Sequence, residues 1–136
     1  MVVVDASVVC KVVLQEENRD KAKDILKRHV EGLDQVIVPN LLFYEVANTL
    51  ATKSAIPKTQ MIRSFDKLGS LNLTIYNPTL EEMRKAAEFA KDRHASVYDA
   101  IYVVVAQENK CDLITADNKF AKQVNLPFVK TLDSLN

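Results

Sequence analysis

Short runs of apolar, largely β-branched residues recur along the chain, and longer segments with helical periodicity lie between them. Short apolar runs of this kind are typical of strands buried on both faces, which occur in parallel sheets covered by helices. We therefore predict an α/β protein with a parallel sheet between helices. The predicted strands are residues 2–4, 36–38, 73–75, 113–115 and, as an edge strand, 128–129.

The segments between these runs predict seven helices, at residues 7–14, 18–31, 41–53, 58–68, 80–94, 97–109 and 118–123. Gly32 and Gly69 each follow a helical segment, where glycine commonly ends a helix. Asn40 is the expected N-cap of the third helix, and Met83 is expected on the inner face of the fifth. A chain of 136 residues without a Pro/Gly/Ser-rich linker or an internal repeat predicts one domain, residues 1–136.

Composition narrows the classes of partner. The chain has 18 basic and 18 acidic residues, so a nucleic acid would have to be held by a local basic patch or by bound cations rather than by overall charge. No apolar run approaches the roughly 18 residues that a membrane-spanning helix needs, and no signal peptide is evident. We expect a cytoplasmic protein without a membrane partner. Cys10 and Cys111 lack metal-site spacing and are expected to be reduced thiols.

Four acids stand in apolar surroundings. Asp5 and Asp117 follow predicted strands, Asp99 falls in the first turn of a helix, and Glu45 interrupts an apolar helix. In parallel sheets, ligands bind beyond the carboxyl ends of the strands, where Asp5 and Asp117 would lie. Two carboxylates about 5 Å apart repel by roughly 3 kcal/mol at an effective dielectric near 20. Mg²⁺ or Mn²⁺, which prefer oxygen ligands, would relieve this repulsion and could activate water against a phosphodiester.

Each acid also has a simpler explanation. Asp5 could cap the helix that begins near Ser7, and Asp117 the helix that begins at Asn118. Asp99 could serve only the helix dipole, and Glu45 could be a solvated helix residue. The four together are harder to explain in this way, because two of them lie at strand ends on the side where ligands bind.

The other polar and aromatic candidates are assigned to packing. His29 and His94 continue apolar helical stripes, and metal-activated hydrolysis needs no histidine base. Tyr98 and Tyr102 flank Asp99 and could stack on RNA bases, but we assign them to helix packing.

Four segments in order, VVVDAS, YEVANTL, VYDAIYVVVA and LITADNKFA, resemble the PIN-domain nucleases, and most of all the VapC-type toxins of toxin–antitoxin pairs. The resemblance covers essentially the whole chain. It implies a parallel sheet of order 3-2-1-4-5 and carries the acidic metal site onto Asp5, Glu45, Asp99 and Asp117. It further implies that Ser7 and Thr115 hold water or orient the acids, and that Asn118 assists them.

The resemblance also implies an activity and partners. The family is similar in being Mg²⁺- or Mn²⁺-dependent ribonucleases, usually homodimeric, and inhibited by a VapB-like antitoxin whose C-terminal segment enters the active-site groove. We therefore expect an RNA substrate, an antitoxin and a homodimer.

Three other functions stay open. The chain could be a housekeeping nuclease for RNA maturation or DNA flaps, or a non-catalytic interaction module with the same fold. A receiver-like or phosphatase-like α/β domain also gathers acids at strand ends. It is disfavoured because receivers carry adjacent acids after the first strand, where this chain has only Asp5.

Overall fold

The computed structural model describes residues 1–53 and 55–136, and within them strands and helices alternate much as the sequence predicts. Each strand is short and apolar, and most helices present one apolar face to the sheet. The elements are β1 Val2–Val4, α1 Ala6–Val13, α2 Asp20–Val30, β2 Val36–Pro39, α3 Leu41–Thr52, α4 Lys58–Ser70, β3 Thr74–Tyr76, α5 Leu80–Arg93, α6 Val97–Glu108, β4 Asp112–Thr115, α7 Asn118–Val124, β5 Val129–Thr131 and a final 3₁₀ turn Leu132–Ser134.

The sheet has five strands in the order β3-β2-β1-β4-β5, and every pair that the structure describes is parallel. This confirms the predicted fold class and strand order. In the centre, Val3 of β1 lies between Ile37 of β2 and Leu113 of β4. Because all strands run the same way, the residues that follow β1, β2 and β4 meet at one edge of the sheet.

Helix α6 covers the middle of the sheet and packs on β1, β2 and β4 as well as on α5. Residues 100–106 of α6 are all buried, which explains why this helix is apolar on every side rather than on one stripe. The helix begins at the same edge as the ends of β1 and β4, because its C-terminus leads directly to the start of β4. The first turn of α6, which contains Asp99, is therefore fixed beside the strand ends by a buried helix.

Three local predictions are wrong, and each has a physical reason. Gly69 lies inside α4, because Asn72 takes the left-handed conformation (φ +48°) beyond the helix end. Asn40 has helical backbone angles and its side chain makes no capping hydrogen bond to α3. Met83 is 45% exposed, because the buried positions of α5 are Glu82 and the small residues Ala86 and Ala90. Gly32, at φ +74°, follows α2 as predicted.

His29 has the structural role that the sequence indicates. Its Nδ1 accepts a hydrogen bond from the backbone N–H of Val36 at 3.0 Å, and its Nε2 lies 2.9 Å from the carbonyl oxygen of Asn72. The ring thus ties α2 to the start of β2 and to the turn before β3. His94 ends α5 in the left-handed conformation.

Candidate active site

Asp5 follows β1, and three donors hold its half-buried carboxylate. The Ser7 hydroxyl donates to Oδ1 at 2.5 Å, the Val8 N–H donates to the same oxygen at 3.3 Å, and the Thr115 hydroxyl donates to Oδ2 at 2.5 Å. The Val8 contact makes Asp5 the N-cap of α1, as the simpler explanation predicts. The bond from Thr115 comes from β4 and serves no helix, so capping alone does not explain the arrangement.

Ser7 and Thr115 also join the end of β1 to the residues that follow β4. The Ser7 hydroxyl oxygen accepts from the N–H of Ala116 at 2.9 Å, and the Thr115 hydroxyl oxygen accepts from the N–H of Asp117 at 3.0 Å. Thr115 is completely buried. Each hydroxyl therefore donates to Asp5 and accepts from the β4 side, which fixes the position of Asp5 relative to Asp117.

Asp117 and Asp99 lie at the starts of two helices and are both exposed. The Asp117 Oδ1 accepts from the N–H of Phe120 at 2.9 Å and caps α7. The N–H of Asp99 donates to the hydroxyl oxygen of Ser96 at 3.1 Å, so Ser96 caps α6.

Asn118 is turned away from the acids. Its side-chain amide donates to Oδ2 of Asp133 in the 3₁₀ turn at 3.2 Å. The structure therefore brings six of the seven predicted site residues to one edge of the sheet and gives Asn118 a different partner.

Glu45 reaches the site from α3. Its side chain is half-buried, and the hydroxyl of Tyr102 donates to its Oε1 at 2.6 Å. Tyr102 belongs to α6 and is only 2% exposed. The sequence assigned Tyr102 to packing and missed this hydrogen bond. The available signal was its position three residues after Asp99 on a buried helix, where a phenol hydroxyl needs a polar partner.

Burial and electrostatic repulsion between the acids raise the pKa values of Asp5, Glu45 and Asp99. Burial raises the pKa of Asp5, and the charge of Asp99 raises it further, against the hydrogen bonds from Ser7 and Thr115. Burial also raises the pKa of Glu45, followed by the charges of Asp99 and Asp5, while the Tyr102 hydrogen bond lowers it. Asp99 is exposed by surface area, yet protein around its carboxyl group raises its pKa, and the charge of Asp117 adds to this.

No Lys or Arg among the described residues forms an ion pair with any of these four acids. The negative charge that gathers here is therefore left without a cationic side chain to balance it. An oxygen-only donor set with this charge fits a hard divalent cation.

Among the residues that the structure describes, no three Asp, Glu, His or Cys side chains are arranged to hold a metal ion by themselves. Mg²⁺ is commonly bound through one or two carboxylates and keeps several waters. The site therefore fits a hydrated Mg²⁺ or Mn²⁺ ion, and does not fit a cage closed by all four carboxylates.

A family model described as the PIN domain matches residues 2–126. The chain belongs to the PIN-domain family. No curated protein matches this PIN domain in sequence.

Solved structures similar to this PIN domain include a toxin–antitoxin complex from Klebsiella pneumoniae, at 20% identity and a TM-score of 0.71 over 97% of this chain and 98% of that one. A second is VapC20 of Mycobacterium tuberculosis, a sarcin–ricin loop cleaving toxin, at 17% identity and a TM-score of 0.66 over 95% and 97% of the two chains. A third, from Pyrobaculum aerophilum, has 19% identity and a TM-score of 0.71 over 98% and 84%. At these identities the likeness establishes a shared fold.

Proposed function

We propose that this PIN domain is an Mg²⁺- or Mn²⁺-dependent endoribonuclease and the toxin of a toxin–antitoxin pair. The observation that carries the proposal is the group of mutually repelling carboxylates at the carboxyl edge of the sheet, which no cationic side chain of the described residues balances. A stable fold gains nothing from such a group, because gathered like charges are destabilising unless they protonate or bind a cation. A cation bound there would also attract the phosphates of a polyanion.

The chemistry follows from the donors. A divalent ion in such a site lowers the pKa of a bound water and stabilises negative charge on a phosphodiester. Asp5 is held on both oxygens by Ser7, Val8 and Thr115, more donors than the structure describes for Glu45 or Asp117, and suits a permanent ligand. Asp99 and Asp117 are exposed, so they can contact both an ion and an approaching substrate.

RNA is the substrate that we propose, with a VapB-like antitoxin as the inhibitor. Support comes from the sequence resemblance to VapC-type toxins and from the fold shared with toxins that the solved structures describe as such. A cytoplasmic location follows from the proposed substrate. No helix in residues 1–53 or 55–136 combines the length and the apolar character needed to cross a bilayer.

We also propose that the chain pairs with a second copy of itself. The side chains of Tyr44 on α3 and of Ile62 and Phe65 on α4 are all substantially exposed, although each is large and apolar. Exposed apolar groups on neighbouring helices are typical of surfaces that pair with another chain. We therefore infer a homodimer through α3 and α4.

The activity is tested by cleavage of defined RNAs with Mg²⁺, Mn²⁺ or a chelator. We expect the wild type to cut only with a divalent ion, and Asp5→Asn and Asp99→Asn to lose cleavage while they stay folded. Asp112→Asn is the matched control, because Asp112 pairs with Lys130 at the opposite end of β4. Cleavage by Asp99→Asn at the wild-type rate, or cleavage that survives the chelator, would refute the proposal.

Expression in cells distinguishes a toxin from a housekeeping nuclease. Expression of a toxin should arrest growth, and co-expression of the adjacent small gene should relieve the arrest. A housekeeping nuclease would give no arrest. A non-catalytic module would cut no RNA and would take up no Mn²⁺ in a calorimetric titration.

A further inference from the structure

The hydrogen bond between Tyr102 and Glu45 joins the two helices that carry acids of the site. Tyr102 lies one turn after Asp99 on α6, and Glu45 lies in the middle of α3. At 2.6 Å the bond from the phenol hydroxyl to a carboxylate oxygen is short, as charge-assisted bonds are. Because Tyr102 is almost completely buried, water cannot replace this donor without a rearrangement of α6.

This bond commits one oxygen of Glu45. The hydroxyl donates to Oε1, and no donor among the described residues reaches Oε2. Oε2 is not buried and therefore remains open to solvent. Glu45 therefore keeps one free oxygen, and the hydrogen bond from a buried tyrosine fixes the orientation of its carboxylate.

Hydrogen bonds also restrict the carboxylates of Asp5 and Asp117. Both oxygens of Asp5 already accept hydrogen bonds, from Ser7 and Val8 on one side and from Thr115 on the other. Oδ1 of Asp117 accepts from the N–H of Phe120. Three of the four carboxylates are thus tied in ways that disfavour ligation of one ion through both oxygens.

The number of oxygens per carboxylate separates two common divalent ions. Ca²⁺ takes six to eight oxygen ligands in flexible geometries that often include a carboxylate bound through both oxygens. Mg²⁺ is smaller and demands near-octahedral geometry, with few carboxylates and several waters. We propose that Tyr102 is a positioning residue that restricts Glu45 to one-oxygen ligation and thereby makes the site prefer Mg²⁺ and Mn²⁺ over Ca²⁺. This inference rests on the proposed metal-dependent function, with Glu45 as a ligand.

The competing explanation is that the Tyr102 hydroxyl only satisfies itself in a buried position. A matched control distinguishes the two. Tyr76 makes the same kind of bond, from its hydroxyl to Oε1 of Glu82 at 3.0 Å, at the end of edge strand β3 and not among the four acids. Tyr76→Phe therefore removes a tyrosine hydroxyl from a glutamate that lies outside the site.

The experiment is a calorimetric titration of the full chain with Mn²⁺ and with Ca²⁺, for wild type, Tyr102→Phe and Tyr76→Phe. Loss of a residue that orients a metal ligand commonly weakens metal binding by about 10- to 100-fold. We expect Tyr102→Phe to lose Mn²⁺ affinity on that scale and Ca²⁺ affinity little or not at all. The preference for Mn²⁺ over Ca²⁺ should then fall by about tenfold or more. Tyr76→Phe should keep the wild-type preference.

A uniform loss of affinity for both ions in Tyr102→Phe, or no loss, would overturn the inference, because a purely structural role cannot discriminate between ions. Glu45→Ala tests the same claim if Tyr102→Phe does not fold. It should lose the preference for Mn²⁺, and retention of the wild-type preference would show that Tyr102 cannot act through Glu45. If the wild type binds neither ion, the proposed function fails and the inference with it. If the wild type binds Mn²⁺ and cuts RNA while the preference is unchanged in both variants, only the inference fails.

Discussion

Replacing Thr115 with valine removes one hydroxyl and nearly preserves the shape of the side chain. That hydroxyl donates to Oδ2 of Asp5 and accepts from the N–H of Asp117. A buried hydrogen bond to a charged group contributes about 1.5–3 kcal/mol to the free energy of unfolding. Thr115 is completely buried, so water cannot readily replace its hydroxyl as the donor to Asp5. We therefore expect the free energy of unfolding to fall by about 2 kcal/mol.

For a chain of this length, such a loss corresponds to a decrease of about 8 °C in the melting temperature. The substitution should also weaken Mn²⁺ binding by about 10- to 100-fold, because Asp5 loses the donor that fixes Oδ2. Urea unfolding without metal measures the first effect, and a calorimetric titration with Mn²⁺ measures the second.

Thr115→Ser is the matched control for this prediction. Serine keeps the hydroxyl and loses a buried methyl group, which costs about 1 kcal/mol. It should therefore reduce stability and leave Mn²⁺ affinity close to that of the wild type. If Thr115→Val binds Mn²⁺ as tightly as the wild type, or if Thr115→Ser loses affinity to the same extent, the argument that Thr115 orients Asp5 is refuted.

Three further predictions concern pH, assembly and the start of α6. Because burial raises the folded-state pKa of Asp5 above its unfolded value of 3.8, the metal-free protein should lose stability as pH rises above about 4. The free energy of unfolding of Asp5→Asn, measured in urea, should fall less over the same rise in pH. An identical pH dependence in the variant and the wild type would contradict this. Phe65→Glu should give monomers in sedimentation experiments, while Leu80→Glu, at an exposed position at the start of α5, should not. A monomeric wild type would refute the proposed dimer. Ser96→Ala should cost about 1 kcal/mol in urea unfolding by removing the N-cap of α6, and an unchanged midpoint would contradict the capping role.

The fold could be predicted because its signals are local. Strands of three or four apolar residues between helices indicate a parallel sheet, and the acids that follow β1 and β4 then fall at its carboxyl edge. The strand order came from the resemblance to PIN domains, since the sequence pattern alone does not rank the strands.

The wrong predictions concern residues whose positions depend on contacts between helices and strands. Gly69 looked like a helix end, but the left-handed position beyond α4 is occupied by Asn72. Glu82 rather than Met83 is buried, and its Oε1 accepts hydrogen bonds from the hydroxyls of Tyr76 and Thr79. Such pairings depend on how helices lie against strands, which helical periodicity does not specify.

The same limit applies to the site. Asp5 and Asp117 are evident from their positions after strands, whereas the partner of Glu45 depends on how α3 and α6 cross. Tyr102 looked like a packing residue, and its burial agrees with that. Its hydrogen bond to Glu45 becomes visible only when the two helices are placed together.

Anomalous diffraction from crystals soaked in Mn²⁺ would show whether these carboxylates bind a divalent cation. We expect an anomalous peak at the carboxyl edge of the sheet, in contact with a carboxylate oxygen of Asp5 and near those of Asp99 and Asp117. The peak should disappear in Asp5→Asn crystals soaked in the same way. Crystals at saturating Mn²⁺ without a peak among these acids would contradict the claim.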